Sequence, residues 1–211
     1  MGGKMKKALV EMIGVFFLVL VIALTGNPLA IGAILMVMVY AGGYISGAHY
    51  NPAVTLAVLM HRKIKPNEAV MYMLSQLIGA IAASCVFIYL RGAPLVISPA
   101  MTTTYSQALL VEVLFTFALA TVVLNTAVSA KNTPNSFYGL AIGFTVMVGA
   151  FAGGAISGGA YNPAVGVGPM IVNSLRGGGF TSTLFSLYTV GPFLGAALAS
   201  LVYKYVASVK K

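Results

Sequence analysis

The sequence contains the same polar motif twice, each time between long apolar stretches. Residues 45–55 read ISGAHYNPAVT and residues 156–166 read ISGGAYNPAVG. An Asn-Pro pair favours the start of a helix, because asparagine is a strong N-cap and proline is favoured at the first helical position. Each pair opens a short apolar segment, 52–60 or 163–173, that is too short to cross a bilayer alone. The motif therefore predicts two short helices that each begin at an Asn-Pro pair.

Six further apolar stretches approach the ~20 residues that a transmembrane helix needs. Hydrophobic residues make up 59% of the chain and charged residues only 7%, which is too little charge for the surface of a soluble domain. We therefore predict an all-α membrane protein, with one membrane domain over residues 1–211, six transmembrane helices and two re-entrant half-helices. The predicted spans are 8–25, 29–47, 67–90, 106–129, 136–156 and 182–206.

The formal net charge of +9 is concentrated next to the predicted spans. An even number of spans places both termini and the loops 61–68 and 129–136 on one side, and ten of the twelve basic residues lie there. Cytosolic loops carry such an excess of lysine and arginine. We therefore expect a multi-pass protein of the cell membrane with both termini in the cytosol, and no binding to nucleic acid. The ten residues are Lys4, Lys6, Lys7, Arg62, Lys63, Lys65, Lys131, Lys204, Lys210 and Lys211.

The two motifs are separated by an odd number of spans, so the halves, about 1–95 and 96–211, have opposite orientations across the membrane. Inverted repeats with broken helices place their binding site near the middle of the bilayer. Two helix N-termini that meet there concentrate positive potential, and the amides of Asn51 and Asn162 donate hydrogen bonds into the same space. Such a site orients neutral molecules that carry a lone pair and repels cations.

The repeated motif and the surrounding helices resemble the aquaporin family, also called the major intrinsic proteins. The resemblance includes LVEMIGVFFLVL, LSQLIGAIAAS, LVEVLFTFALATVV and VGPFLGAALAS in addition to the two motif copies. It implies an inverted repeat of six spans and two half-helices, a homotetramer with one pore per subunit, and passage of water and small uncharged solutes. The pore motif residues that it implies are Asn51, Pro52, Ala53, Asn162, Pro163 and Ala164.

Glu11 and Glu112 are the only acidic residues inside predicted spans, and each opens the first span of its half. A carboxylate is costly at that depth unless it is hydrogen-bonded. The family resemblance implies that each braces the irregular backbone before its half-helix. The alternative is a proton relay, which would make the protein a proton-coupled secondary transporter. Glu68 lies in a basic loop and is expected to be solvated.

The outer constriction is where the chain departs from many family members, which have arginine directly after the second Asn-Pro-Ala. Val165 stands there, and spacing from the asparagines assigns Ile31, Ala150 and Gly159 to the other filter positions. These residues predict a wide, apolar filter that admits glycerol, urea or ammonia beside water. The segment around the second motif is most similar to plant tonoplast intrinsic proteins. The interval from Glu11 to its asparagine is shorter than the corresponding one from Glu112, which indicates a shortened first span or outer loop.

His49 lies two residues before Asn51, where family members often have histidine. It either narrows the cytosolic mouth, where it would respond to pH, or packs as a neutral loop residue. Two separate histidines and one cysteine do not form a metal site, so we expect neither metal nor cofactor. A membrane enzyme is disfavoured because the sequence has no cluster of histidine, cysteine or aspartate.

Overall fold

The computed structural model describes residues 2–207, and all of its regular secondary structure is helical. Lys210 and Lys211, which were counted among the basic residues, lie outside the described residues. The helices are α1 (Gly2–Thr25), α2 (Pro28–Ser46), α3 (Pro52–Met60), α4 (Pro66–Arg91), α5 (Tyr105–Val123), α6 (Tyr138–Ser157), α7 (Pro163–Asn173) and α8 (Ser182–Ala207). Two π-helical turns, Leu124–Val128 and Ser174–Gly178, extend α5 and α7.

Six of these helices, all except α3 and α7, are long and apolar enough to cross a membrane. They correspond to the six predicted spans, so the predicted all-α architecture is confirmed. The helices expose large apolar side chains on their outer surfaces, as a bundle surrounded by lipid requires. Examples are Leu74, Ile78, Leu110, Leu114, Phe151, Val190 and Leu201.

The first helix is longer than its hydropathy predicts, because it begins at Gly2 rather than near residue 8. The added turn and a half carries Lys4, Lys6 and Lys7, which are good helix formers but give no apolar signal. The interval from Glu11 to Asn51 is shorter than the one from Glu112 to Asn162 because the loop between the first two helices of that half is shorter. Only Gly26 and Asn27 connect α1 to α2, whereas a π-helical turn and residues 129–137 connect α5 to α6.

The two half-helices begin at the Asn-Pro pairs, as predicted from the sequence. In α3 the Oδ1 atom of Asn51 accepts a hydrogen bond from the backbone N–H of Ala53 at 2.8 Å. In α7 the Oδ1 atom of Asn162 accepts the equivalent bond from Ala164 at 3.0 Å. The backbone N–H of the residue after proline is therefore bonded to the asparagine side chain, which is the usual function of an asparagine N-cap.

Glycines set how closely the long helices approach one another. A Cβ atom on Gly79 of α4 would collide with the backbone oxygen of Met12 in α1, and one on Gly195 of α8 would collide with that of Val113 in α5. The helices α2 and α6 also cross at paired glycines. Helices in lipid associate largely through such close packing of small residues. The main contacts α1–α4, α5–α8 and α2–α6 thus form one continuous bundle around the two half-helices.

Replacing Gly79 with alanine should loosen the contact between α1 and α4. The added methyl group meets backbone that cannot move aside as a flexible side chain can, and overpacking of this kind costs about 1–3 kcal/mol. The expected result is a lower midpoint of thermal unfolding for the detergent-purified protein. Gly154→Ala is the matched control, because a Cβ atom there meets nothing within 4 Å. Equal midpoints for the two variants would contradict this account of the packing.

Candidate functional site: a central pore

The N-terminal ends of the two half-helices are bonded to each other through their asparagines. The Nδ2 atom of Asn51 donates to the backbone oxygen of Tyr161 at 2.8 Å, and Nδ2 of Asn162 donates to the backbone oxygen of Tyr50 at 2.8 Å. Each asparagine therefore caps its own helix with its oxygen and binds the other half with one amide hydrogen. The second hydrogen of each amide has no partner among residues 2–207, and both side chains line the central cavity.

Glu11 braces the irregular backbone that leads into α3. Its Oε1 atom accepts hydrogen bonds from the Ser46 hydroxyl at 2.6 Å and the backbone N–H of His49 at 3.0 Å. Its Oε2 atom accepts from the backbone N–H of Tyr50 at 2.7 Å and from Nε2 of Gln76 at 2.8 Å. Four donors thus surround a fully buried carboxylate, which compensates the cost of removing that carboxylate from water.

Glu112 makes the corresponding contacts before α7. Its Oε1 atom accepts from the Ser157 hydroxyl at 2.7 Å and the Ala160 N–H at 3.0 Å, and its Oε2 atom accepts from the Tyr161 N–H at 2.7 Å. No donor equivalent to Gln76 reaches Glu112 within residues 2–207. Both carboxylates are fully buried, and neither residue lines the central cavity or the cavity at the other end of the bundle, so each contacts the loop of its own half rather than the solute path.

Tyr50 and Tyr161 hold the backbone that presents the two acceptor carbonyls. Both have positive φ angles, 48° and 47°, which cost a bulky residue roughly 1–3 kcal/mol. Each side chain is almost completely buried, and its hydroxyl donates to a helix carbonyl, that of Met38 at 3.0 Å or Gly149 at 2.8 Å. Packing and hydrogen bonding therefore stabilise a strained turn that points its carbonyl oxygen at the opposite asparagine.

The central cavity has a volume of about 280 Å³ and reaches the far end of the bundle, where α1 meets α2. Ile31, Ala150, Gly159 and Val165, the four positions assigned to the filter from spacing, all line this cavity. None of their side chains carries a hydrogen-bond donor or a charge. Their role as a filter stays a prediction, but the structure places them on the wall of one space beside Asn162.

Ile97 is a cavity residue that the sequence alone did not reveal. It belongs to the irregular segment 92–104 between α4 and α5, and it lines the central cavity near Gly158. The only signal was the run Leu-Val-Ile at residues 95–97, which is unusually apolar for a loop. The far end of the cavity is thus partly covered by a loop residue that is itself apolar.

A second cavity of about 250 Å³ opens at the other end of the bundle, which carries the basic loops 61–65 and 129–137. We call this space the basic vestibule. His49 and Val123 line both cavities, so His49 lies where the two spaces meet. Its Nδ1 atom is 3.2 Å from the Thr55 hydroxyl, and its ring packs edge-on against Tyr72. The histidine is therefore a packed loop residue that also borders the path.

The expectation for Glu68 was wrong, because this residue is not simply solvated. Its carboxylate accepts a hydrogen bond from the Lys7 ammonium at 2.9 Å, and its side chain is only 13% exposed. Both residues line the basic vestibule. Lys7 reaches Glu68 because α1 begins earlier than its hydropathy indicates. A contact between residues so far apart in sequence had no local signal.

Removing the Glu11 carboxylate should destabilise the first half in a graded way. Glu11→Gln keeps one acceptor oxygen and fills the same space, whereas Glu11→Ala leaves all four donors unsatisfied, at about 1–3 kcal/mol for each. We expect the thermal midpoint to fall moderately in the glutamine variant and severely in the alanine variant. The contrary result is a glutamine variant that keeps its stability while its solute flux falls and no longer depends on pH. That result would favour a proton relay through Glu11 instead of a brace.

Six spans, two half-helices that meet at their N-termini and a cavity at that junction define a transmembrane channel. The sequence profile of the family described as Major intrinsic protein matches residues 22–203. Aquaporin AqpM of Methanothermobacter marburgensis is 35% identical over 187 residues, which cover 85% of this chain and 76% of that protein. Aquaporin-5 of Ovis aries is 36% identical over 183 residues, which cover 84% of this chain and 67% of that protein.

The chain belongs to the major intrinsic protein family, the family of the aquaporins. Its fold is that of the solved aquaglyceroporin from Plasmodium falciparum, with a TM-score of 0.85 over 97% of both chains at 19% sequence identity. The family resemblance drawn from the two Asn-Pro motifs is thereby confirmed. The finer likeness to tonoplast intrinsic proteins stays a prediction.

Proposed function

We propose that the protein is a passive channel, rather than an enzyme, for water and small uncharged solutes. The observation that carries this proposal is the junction of α3 and α7, where two asparagine amides each offer one free N–H to the same cavity. No charged side chain of residues 2–207 lines that central cavity. A permeating molecule therefore meets fixed donors within otherwise apolar walls.

The selectivity against ions follows from the same junction. Each helix N-terminus carries about half a positive elementary charge, and the two N-termini face one space. A cation that reaches this point loses its water and meets positive potential, while the pore supplies no replacement shell of oxygen atoms. A neutral molecule loses fewer hydrogen bonds and regains some of them at the amides of Asn51 and Asn162.

The solute range is set by the four residues Ile31, Ala150, Gly159 and Val165. Small or aliphatic side chains at these positions leave the constriction without the charged donor that arginine would supply. We infer that glycerol, urea or ammonia passes beside water. A wide opening favours solutes larger than water, and apolar walls favour solutes that need few hydrogen bonds at the constriction.

Proton-coupled secondary transport is the alternative that the sequence left open. A relay needs groups that exchange protons with the solute path. Glu11 accepts four hydrogen bonds and Glu112 accepts three, all within their own halves, and neither lines the central cavity or the basic vestibule. These contacts favour two structural braces in a passive channel.

The orientation and assembly of the channel are part of the same proposal. The excess of basic residues in the loops beside the basic vestibule favours a cytosolic location for this end, and hence cytosolic termini in the cell membrane. The halves 1–95 and 96–211 would then enter the bilayer from opposite sides. The family resemblance favours a homotetramer with one pore in each subunit.

Replacing the asparagines tests the donor role of the junction. Asn51→Leu and Asn162→Leu should each reduce water and urea flux about tenfold or more, because losing ~1.4 kcal/mol of stabilisation at the barrier slows a rate by that factor. Stopped-flow light scattering on vesicles with equal protein content would measure the flux. The thermal midpoint of each variant is the control for folding. Wild-type flux in both variants would show that the motif is purely structural.

Introducing arginine after the second motif tests the wide filter. Val165→Arg adds a charged donor and fills space beside Ala150 and Gly159, so it should reduce glycerol and urea flux more than water flux. Osmotic assays with each solute on wild type and variant would give the ratios. A wild type that admits only water, or an arginine variant with the solute ranking unchanged, would contradict the assignment of the filter.

A further inference from the structure

The charged side chains along the path are all located at one end of it. Among residues 2–207, only Lys7, Lys63 and Glu68 contribute a charge to the wall of either cavity, and all three line the basic vestibule. The far end, where family members often place an arginine, has Val165 and no charge. The fixed charge on the path is therefore on the opposite side of the asparagine junction from the filter.

These three residues leave the vestibule with one net positive charge. Glu68 is neutralised by Lys7 at 2.9 Å, and it is the more buried member of the pair. Lys63 has no acidic partner within the described part of the chain. Lys63 thus adds an uncompensated positive charge to the wall of a cavity of about 250 Å³ that His49 also lines.

We propose that Lys63 makes the basic vestibule a second barrier to cations, in series with the half-helix N-termini. This inference rests on the proposed channel function and adds a residue that determines its charge selectivity. A barrier at the vestibule compensates for the missing filter arginine, because a charge anywhere along a single path lowers the local cation concentration. Neutral solutes are unaffected by the sign of that charge.

The range of such a charge matches the size of the vestibule. Screening by salt reduces the field of a charge over about 8 Å at physiological ionic strength and over about 30 Å at 0.01 M. Walls of low dielectric constant focus the field inside a cleft, which strengthens it relative to open water. The barrier is therefore expected to be strongest at low salt and to weaken as salt is added.

Membrane orientation alone is a simpler explanation for a basic loop, and the neighbouring residues separate the two explanations. Arg62 and Lys65 belong to the same loop and contribute equally to a positive-inside signal, but neither lines the vestibule. Lys65→Glu changes the charge of the loop by the same amount as Lys63→Glu. It is therefore a matched control for topology and for net charge.

The experiment compares potassium conductance in planar bilayers with urea flux in vesicles, for purified protein at low and high salt. Lys63→Glu should raise the ratio of potassium conductance to urea flux about threefold or more at low salt, and less at high salt. Lys65→Glu should leave the ratio at the wild-type value. Lys63→Gln should raise the same ratio by a smaller factor. It serves as the test variant if Lys63→Glu does not insert into the membrane.

The ion pair provides a second and independent arm of the test. Lys7→Gln removes one positive charge and should raise the conductance ratio, whereas Glu68→Gln removes the negative charge and should not raise it. The inference would be overturned if Lys63→Glu and Lys65→Glu gave equal conductance ratios, or if neither variant conducted potassium. Measurable urea flux in those variants would leave the proposed channel function intact. Absence of neutral-solute flux in the wild type would instead overturn the proposed function.

Discussion

A backbone N–H group inside a bilayer must find a partner within the protein, and this requirement shapes the centre of the molecule. The chain leaves helical geometry between Ser46 and Asn51 and again between Ser157 and Asn162, and irregular backbone at membrane depth is tolerated only against protein or a water-filled cavity. Glu11 and Glu112 supply the missing acceptors from a neighbouring helix. Because each carboxylate holds two consecutive backbone N–H groups, the next carbonyl is oriented toward the opposite half, and the asparagines can bind across the junction.

Permeation depends on the amide hydrogens of the two asparagines that this arrangement does not use. The asparagine oxygens and one hydrogen of each amide are consumed by the fold, so each side chain keeps a single donor for a passing molecule. Helix dipoles add positive potential at the same place. The predicted filter at the far end is apolar, and among residues 2–207 the charged side chains on the walls of these two cavities all lie in the basic vestibule. We therefore propose that selectivity is distributed along the path, with solute size limited at Val165 and cations opposed at the junction and near Lys63.

The parts of the fold that sequence reasoning could predict are those with a local signal. Long apolar stretches gave the spans, and Asn-Pro pairs gave the starts of α3 and α7 to the residue. Spacing from the asparagines also assigned Ile31, Ala150, Gly159 and Val165 to one constriction, and all four line the central cavity. Tertiary contacts gave no such signal: the cross-bond from Asn51 to Tyr161, the pair of Lys7 with Glu68, and the position of His49 between two cavities all depend on how distant helices pack.

The central claim is a passive path for neutral solutes in which the buried carboxylates are braces. Stopped-flow light scattering on vesicles that contain the wild-type protein tests it most directly, with one osmotic gradient of urea applied both with and without a pH difference across the membrane. A passive channel predicts the same flux in both conditions, always down the solute gradient. Flux that changes direction or accumulates urea when the pH difference is imposed would contradict the account, because it would require proton transfer through groups such as Glu11 and Glu112.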